Sequence, residues 1–327
     1  MLVSEALRPV RLGLIGAGFA AGLHAGSLAG MQGVEVAAVA DPLPDRAEAL
    51  AARVGARAYR DHRRMLDSEA LDGVYVCVPP FAHGPPELAV LERGLPLFVE
   101  KPLAIDVATA ESVAAEVVRC GVVTATGYHW RYLDTVERAA GLLATDPCRL
   151  LLGWWLDKVP GPDWWLRQAG SGGQLVEQTT HLFDLARFLV GEVASVHAVG
   201  GRFPRRSDVR SGDVLDVSTA TLRFASGAVG SVSSSCLLRR GHRIGVELIC
   251  EGLALELSET TLVIDDGRSR QVVRAAQDPR AAADRDFVAA VRGQPAAVRA
   301  PYAEALRSHR IALAAARAAR EGLVETG

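Results

Sequence analysis

Twelve residues near the start of the chain are the strongest indication of its fold: Val10-Arg11-Leu12-Gly13-Leu14-Ile15-Gly16-Ala17-Gly18-Phe19-Ala20-Ala21. Its first half is an apolar strand, and its second half matches the pattern G-x-G-x-x-G/A that joins strand to helix in dinucleotide-binding units. Gly16 permits the tight turn, Gly18 lets a pyrophosphate approach the backbone, and Ala21 lets the helix pack on the strand. Because the helix N-terminus offers unpaired N–H groups, we expect a dinucleotide to bind at Gly16, Gly18, Phe19 and Ala20.

Asp41 ends the next predicted strand, Val34–Ala40, at about the distance from the glycine turn that such units show. A carboxylate at this place accepts hydrogen bonds from the adenosine ribose and would repel a 2′-phosphate. No arginine stands immediately beside Asp41, so the sequence favours NAD as the cofactor. Arg46, one helical turn further on, leaves NADP open.

The first third of the chain alternates between continuous apolar strands and helices, which is typical of a parallel sheet covered on both faces. The predicted strands are Val10–Ile15, Val34–Ala40, Val74–Val78, Leu97–Val99 and Val122–Thr126, and the predicted helices are 19–28, Asp45–Val54, Glu87–Glu92 and Val107–Arg119. We therefore predict an α/β dinucleotide-binding Rossmann domain, a doubly wound parallel sheet, over residues 1–126.

The remaining residues, 127–327, have a different pattern. Leu175–Leu189 is typical of one long helix, Val193–Ile264 alternates with period two, and Ala281–Val291 and Tyr302–Glu321 are closing helices. Turn signals at Ser226-Gly227, Glu251-Gly252 and Asp265-Asp266-Gly267 favour an antiparallel meander. We predict an α+β domain for substrate binding and oligomerisation, with a large open, mostly antiparallel sheet and flanking helices. The last helix could pack back on the first domain.

Composition excludes several classes of function. The chain has 327 residues, 49% of them hydrophobic, and a net charge of −2. Acidic and basic residues are mixed, which argues against a nucleic-acid or membrane surface. The five cysteines are scattered without metal-ligand spacing, so we expect no metal site. The start of the chain lacks the apolar run of a secretory signal, and we expect a reducing, cytoplasmic location.

Several separated motifs have an order and spacing that resemble the Gfo/Idh/MocA (glucose–fructose oxidoreductase/inositol dehydrogenase) family, over nearly the whole chain. They are Gly22-Leu23-His24, Pro79-Pro80-Phe81-Ala82-His83, Glu100-Lys101-Pro102, Gly172-Gly173, and Glu177-x-x-x-His181-x-x-Asp184. Glu-Lys-Pro, about 80 residues beyond the glycine turn, is the most specific of them.

The resemblance implies roles for three residues as the catalytic group. Lys101 would reach the nicotinamide and the reacting substrate oxygen, and a lysine after a parallel strand also lies where open α/β sheets bind ligands. His181 would exchange a proton with a hydroxyl, which suits its unperturbed pKa of about 6.5. Glu177 replaces the family's Asp, so its role in substrate contact or proton relay is the most open. The four-residue step puts Glu177 and His181 on one face of a helix.

Other matching residues are expected near the cofactor. Pro79, Glu100 and Lys101 complete the predicted cofactor-binding set at the nicotinamide end. His83, in the loop after the third predicted strand, is either structural or close to the nicotinamide. His24, on the first helix, is more typical of packing or capping.

All five tryptophans fall between Trp130 and Trp165, in three short groups. Aromatic faces suit a polyhydroxylated ring, although core packing is an equal alternative. Adjacent tryptophans on a strand point to opposite faces, so at most one of each pair should face a cleft. The predicted substrate residues are Trp130, Arg131, Trp155, Lys158 and Trp165. Arg131, Lys158 and Arg167 could bind hydroxyls or a carboxylate, or could be solvated.

These features predict an NAD(P)-dependent dehydrogenase or reductase that moves a hydride between the nicotinamide and a secondary alcohol or ketone of a sugar, cyclitol or related polyol. Lysine and histidine would supply the electrostatics, so no metal is needed. The alternatives are a non-catalytic dinucleotide-sensing or regulatory protein of the same fold, and a reductase of the biliverdin or imine type. The exposed face of the second sheet suggests a homodimer or homotetramer.

Overall fold

A computed structural model describes residues 8–205, 210–322 and 324–326. The described chain forms two compact units. The first consists of residues 8–101, 110–127 and 280–303, and the second of residues 102–109, 128–205, 210–279, 304–322 and 324–326. No helix in the described part of the chain has both the length and the apolar character needed to cross a bilayer.

The strands, in chain order, are β1 (Val10–Ile15), β2 (Val34–Ala40), β3 (Arg57–Tyr59), β4 (Gly73–Val76), β5 (Leu97–Val99), β6 (Thr124–Thr126), β7 (Leu150–Lys158), β8 (Val193–Gly201), β9 (Val217–Phe224), β10 (Val229–Leu238), β11 (Arg243–Ile249), β12 (Ala254–Leu257), β13 (Thr261–Asp265), β14 (Arg270–Arg274) and β15 (Val324–Thr326).

The α-helices are α1 (Phe19–Ala29), α2 (Pro44–Val54), α3 (His62–Ser68), α4 (Pro85–Leu91), α5 (Val107–Cys120), α6 (Asp134–Leu143), α7 (Gln168–Ser171), α8 (Gln174–Glu177), α9 (Thr180–Val190), α10 (Pro279–Val291) and α11 (Tyr302–Glu321).

The first unit contains a parallel sheet with the strand order β3-β2-β1-β4-β5-β6. This confirms the predicted Rossmann architecture, because the order reverses between β1 and β4, where such sheets bind ligands at the carboxyl ends of their strands. Leu12, Leu14 and Val76 of the two central strands are fully buried. The sequence did not predict β3 or α3, which are short and rich in arginine.

The second unit contains a nine-stranded sheet with the order β14-β13-β12-β11-β7-β10-β9-β8-β15. The prediction of a mostly antiparallel sheet is confirmed, but that of an uninterrupted meander is wrong. Strand β7 lies between β10 and β11, and it runs parallel to β10. Leu151 and Gly153 of β7 are buried, which favours a central position in the sheet for this strand. The period-two pattern of residues 193–264 could not indicate that an earlier strand lies between β10 and β11.

One face of this second sheet is covered by helices. Phe183 and Leu182 of α9 and Ala315 of α11 pack with Leu151 and Val232 of the sheet in a continuous apolar core. The core therefore fixes α9, which carries His181, against the middle strands.

The expected long helix over 175–189 is wrong, since it breaks at Gln178 and Thr179 into α8 and α9. The Gln174 side chain donates to Gln178 Oε1 at 3.0 Å and to the Ser235 carbonyl of β10 at 3.1 Å. The Thr179 N–H reaches back to the Gln174 carbonyl. These hydrogen bonds of Gln174 take the place of the regular backbone hydrogen bonds of one continuous helix. Glu177 and His181 therefore lie on two separate helices and not on one face of an unbroken helix.

Candidate functional site

The glycine turn of the first unit has the geometry that its sequence predicts. Gly16 has a φ of +94°, and a Cβ there would lie 2.3 Å from the Cys77 carbonyl oxygen, so the ends of β1 and β4 can approach only at a glycine. Gly18 caps α1 with open space where a Cβ would lie. The first N–H groups of a helix have no partner inside it. This turn therefore fits a dinucleotide pyrophosphate.

Asp41 is tied to the same turn. Its Oδ2 accepts the Ala17 N–H at 2.9 Å, and its Oδ1 accepts the Leu43 N–H at 2.9 Å. The side chain is buried. Each carboxylate oxygen has a second lone pair, so Asp41 can hold the turn and still accept hydrogen bonds from a ribose.

A cavity of about 260 Å³ lies between the glycine turn and α2. Its size suits the adenosine half of a dinucleotide, and it is lined by Ala17, whose N–H is accepted by Asp41. Arg46 and Arg53 bring two exposed guanidinium groups to it. The residues that line it are Ala17, Gly18, Gly22, Asp45, Arg46, Ala49, Leu50 and Arg53.

Replacement of Asp41 by Ala is expected to raise the KM for NAD about 10- to 100-fold, since a hydrogen bond to a charged group contributes about 1.5–3 kcal/mol. The preference is also expected to move toward NADP, because Arg46 can then pair with a 2′-phosphate that the carboxylate no longer repels. Initial rates with NAD and NADP measure both effects. Glu48→Ala, an exposed carboxylate of α2 outside the cavity, is the control. An unchanged NAD-to-NADP ratio in Asp41→Ala contradicts this role.

The loop after β4 is held by a buried pair. His83 Nδ1 lies 2.5 Å from Glu87 Oε1, and Glu87 Oε2 accepts the Gly84 N–H at 2.7 Å. Pro79 begins the loop, just before a 3₁₀ turn at Pro80–Ala82. His83 thus has a structural contact, one of the two readings that the sequence left open for it.

The loop after β5 carries Glu100 and Lys101. Glu100 Oε2 accepts the Lys101 N–H at 3.0 Å, and Oε1 lies 3.0 Å from His24 Nε2. Lys101 is half-buried. The chain has 34 arginines but only two lysines, Lys101 and Lys158. In a chain so rich in arginine, the lysine at position 101 is a composition signal that favours a specific role for its ammonium group.

In the second unit, His181 lies in the first turn of α9 and is surrounded by aromatic rings. Its ring stacks on Trp155 with a centroid distance of 5.8 Å and on Trp130 at 6.3 Å. Tyr128 and His129 meet it edge-on at 5.9 Å and 4.9 Å. Trp130 is buried, whereas Trp155 is half-buried. An imidazole beside the partly accessible face of Trp155 suits a ring-shaped substrate with apolar C–H faces.

Glu177 and Trp165 form one contact. The Trp165 indole N–H donates to Glu177 Oε2 at 2.8 Å, and the Trp165 side chain is fully buried. Trp164 and Trp165 lie on a 3₁₀ turn, Asp163–Leu166, and not on a strand, because Pro160 and Pro162 interrupt the extended chain. Trp165 therefore orients the Glu177 carboxylate from behind.

Arg131 also acts inside the second unit. Its Nε and Nη2 donate to the two Asp184 oxygens at 2.8 and 2.7 Å, and Ser308 donates to Oδ1 at 2.6 Å. Both members of the pair are buried. Lys158, by contrast, is exposed at the end of β7. Arg131 and Asp184 thus anchor the 3₁₀ turn at 129–132 to α9, which positions Trp130 and His181.

Arg131→Met is expected to reduce the free energy of unfolding by about 3–5 kcal/mol, because it leaves the Asp184 charge buried without its cation. Urea unfolding measures this loss. Asp184→Leu in the same chain removes the orphaned charge and should restore much of the stability. If Arg131 instead served mainly to bind a substrate carboxylate, the single variant would keep its stability and only KM would rise.

Two further residues were missed by sequence reasoning. Asp284 of α10 lies 2.7 Å from His24 Nδ1, and Glu259 lies 3.1 Å from His129 Nε2. Neither pair has a local signal, since the partners are 260 and 130 residues apart. His24 is buried, as expected for a packing residue, but it is also ion-paired.

Comparison with known proteins agrees with both units. Residues 10–128 match the Gfo/Idh/MocA model of an oxidoreductase family with an NAD-binding Rossmann fold, and residues 149–256 match the model of the Gfo/Idh/MocA C-terminal domain. The scyllo-inositol 2-dehydrogenase (NAD(+)) of Bacillus subtilis is 30% identical over 247 residues, which cover 73% of this chain and 71% of that protein. The myo-inositol 2-dehydrogenase of Thermotoga maritima is 28% identical over 265 residues, covering 79% and 78%.

Solved structures are similar over almost the full length. GenD2 from gentamicin A biosynthesis, in complex with NAD, has a TM-score of 0.82 and 25% identity, covering 99% of this chain and 98% of that one. Levoglucosan dehydrogenase in complex with NADH has the same fold, with a TM-score of 0.86 at 21% identity, covering 98% and 99%. With its glycine turn, its Glu-Lys-Pro loop and both matched domains, the chain belongs to the Gfo/Idh/MocA family of NAD-binding oxidoreductases.

Proposed function

We propose that this enzyme oxidises a secondary alcohol of a cyclitol or sugar, or reduces the corresponding ketone. His181 takes the hydroxyl proton as general base, and Lys101 stabilises the reacting oxygen with its positive charge. Glu177 contacts a neighbouring substrate hydroxyl. The observation that carries this proposal is the enclosure of His181 by Trp130 and Trp155.

The residues of the first unit fit a nicotinamide dinucleotide, which when bound supplies the hydride acceptor. The N–H groups of Gly18, Phe19 and Ala20 would bind its pyrophosphate, and Gly16, whose N–H donates to the Ala40 carbonyl at 2.8 Å, would let the pyrophosphate approach the backbone of the turn. Asp41 would bind the adenosine ribose, and Pro79, His83, Glu100 and Lys101 would shape the nicotinamide end. We propose residues 1–126 as the dinucleotide-binding domain and residues 127–327 as the substrate and oligomerisation domain; of these, residues 102–109 belong to the second compact unit and residues 280–303 to the first.

The substrate class follows from the chemistry around His181. An aromatic face packs on the apolar C–H face of a sugar or cyclitol ring, while Glu177 accepts hydrogen bonds from its hydroxyl rim. Among the proposed substrate residues, half-buried Trp155 and exposed Lys158 are the accessible ones. Trp130, Arg131 and Trp165 are buried; Trp130 stacks on Trp155, Arg131 pairs with Asp184, and Trp165 donates to Glu177. Inositol and levoglucosan dehydrogenases among the relatives support this class.

A substrate panel tests the proposal. The purified protein is incubated with NAD or NADP and with myo-inositol, scyllo-inositol, levoglucosan, aldoses and sugar acids, and absorbance of the reduced nicotinamide is followed. We expect turnover with at least one cyclitol or sugar, at higher kcat/KM with NAD. Tight NADH binding without turnover on the whole panel would contradict the proposal.

We further propose a homodimer or homotetramer joined through the uncovered face of the second sheet. Val229 and Leu237 of β10 and Val199 of β8 are exposed there or at its margin, at 48%, 42% and 57%. Light scattering should give a multiple of 34.7 kDa, and a monomeric mass would contradict it.

A reducing, cytoplasmic location is supported by the five cysteines, all of them thiols.

A further inference from the structure

His24 of α1 is held between two carboxylates inside the first unit. Its Nδ1 lies 2.7 Å from Asp284 Oδ1, and its Nε2 lies 3.0 Å from Glu100 Oε1. An ionised carboxylate can only accept hydrogen bonds, so both ring nitrogens must donate and the ring is an imidazolium. Burial alone would lower the pKa of His24, but the pairs with Asp284 and Glu100 outweigh it and raise the pKa to about 10.

Aromatic rings close this site to water. The His24 ring lies 5.1 Å from Tyr75 and 4.9 Å from Phe98, and Phe287 of α10 packs edge-on against both of those rings. Only 2% of the His24 side chain is exposed. Charges interact more strongly in such surroundings than in water, so the imidazolium restrains both carboxylates.

Glu100 transmits this restraint to the next residue. Its Oε1 faces His24, and its Oε2 accepts the Lys101 N–H at 3.0 Å. A third side is closed by Gly127, where a Cβ would lie 2.4 Å from Glu100 Oε1. One carboxylate thus connects the buried imidazolium to the backbone of Lys101.

Stability alone does not account for this arrangement. Buried ion pairs are often no more stabilising than apolar residues of similar volume. Within the described residues, Asp284 Oδ2 is buried and has no hydrogen-bond partner, which adds a further cost. The contact with His24 nevertheless fixes the orientation of the Glu100 carboxylate.

We propose that His24 and Asp284 are positioning residues for hydride transfer, which act through Glu100 on the placement of Lys101. The proposal rests on the role of Lys101 in the proposed function. Asp284 fixes the ring of His24, His24 fixes the Glu100 carboxylate, and Glu100 holds the Lys101 backbone at the end of β5. The far C-terminal helix α10 thereby takes part in the geometry of a loop formed about 180 residues earlier.

Two isosteric replacements separate positioning from structural support. The amide nitrogen of Gln at position 24 lies where Nε2 does, so His24→Gln keeps a donor to Glu100 and loses the one to Asp284. His24→Asn does the reverse. Each variant removes one hydrogen bond between residue 24 and a carboxylate of the cluster, so both should lose similar stability in urea unfolding.

The first readout needs no turnover. Because Lys101 and Lys158 are the only lysines, protein labelled with [¹⁵N]lysine gives two backbone amide signals, which Lys158→Arg assigns. We expect His24→Asn to move the Lys101 signal and leave that of Lys158 in place, whereas His24→Gln leaves both. In Gly127→Ala the added Cβ would displace the Glu100 carboxylate without changing His24, so this variant should also move the Lys101 signal.

The second readout is catalytic. With the panel polyol of highest kcat/KM, His24→Asn should lower kcat on the order of 10²-fold, as small misplacements of catalytic groups do, and His24→Gln only a few-fold. The perdeuterated polyol should give a larger isotope effect on kcat in His24→Asn, because hydride transfer becomes slower. A fraction of misfolded protein would lower kcat without changing the isotope effect.

The outcomes separate the two proposals. A Lys101 signal that stays in place in both His24→Asn and Gly127→Ala overturns the positioning role, as does equal loss of kcat in His24→Asn and His24→Gln. A wild-type enzyme without turnover on the panel overturns the proposed function, while the amide signals still decide whether His24 governs the backbone at Lys101.

Discussion

Replacement of Lys101 by Met is expected to lower kcat for polyol oxidation by about 10³-fold, or roughly 4 kcal/mol of transition-state stabilisation. The reacting oxygen gains negative charge as its proton leaves, and a fixed cation stabilises that charge more than it stabilises the bound substrate. Initial-rate kinetics give kcat, and fluorescence of the reduced nicotinamide gives NADH affinity, which should change far less. Retention of most of the wild-type kcat would exclude Lys101 from the chemistry.

Lys101→Arg is the sharper variant, because it keeps the charge but replaces a compact ammonium with a planar guanidinium. We expect it to remain strongly impaired, in line with the scarcity of lysine in a chain that has 34 arginines. Arg63→Met is the matched control. Arg63 is an exposed cation of the same unit, paired with half-exposed Glu92, and its loss should leave kcat unchanged.

Replacement of His181 by Ala is expected to lower kcat by about 10²- to 10⁴-fold, the usual contribution of general acid–base catalysis, and to leave NAD affinity nearly unchanged. Added imidazole should restore part of the rate by entering the space that the His181 ring leaves beside Trp130 and Trp155. The exposed His242 of the same unit gives the control His242→Ala. Full activity in His181→Ala would remove the general base from the mechanism.

The double variant Lys101→Met/His181→Ala asks whether the two groups act on one oxygen. Groups that serve the same step show non-additive losses, whereas independent groups multiply. We expect the double variant to lose clearly less than the product of the two single losses. Strict multiplication would mean that Lys101 and His181 serve separate steps.

Local sequence was sufficient for the elements whose signals are short in range. Strands β1, β2 and β5 and helix α11 have the predicted boundaries, because continuous apolar runs, glycine turns and helical periodicity are local properties. The cofactor turn was predictable for the same reason. At Gly16 the nearby Cys77 carbonyl leaves no room for a side chain, so the presence of glycine at this position already indicates that two backbone segments approach closely.

Local sequence signals and motif spacing therefore suffice to predict the Rossmann unit, the dinucleotide turn and the candidate catalytic groups Lys101 and His181. How these groups are held depends on contacts that only the folded chain makes. At the break between α8 and α9, Gln174 is hydrogen-bonded to β10. The position of Glu100 depends on Asp284 through His24, and the position of His181 depends on the pair of Arg131 with Asp184. Contacts between residues far apart in the chain produce no periodic pattern in the sequence, because the partner of a buried charge is whichever residue the folded chain places next to it.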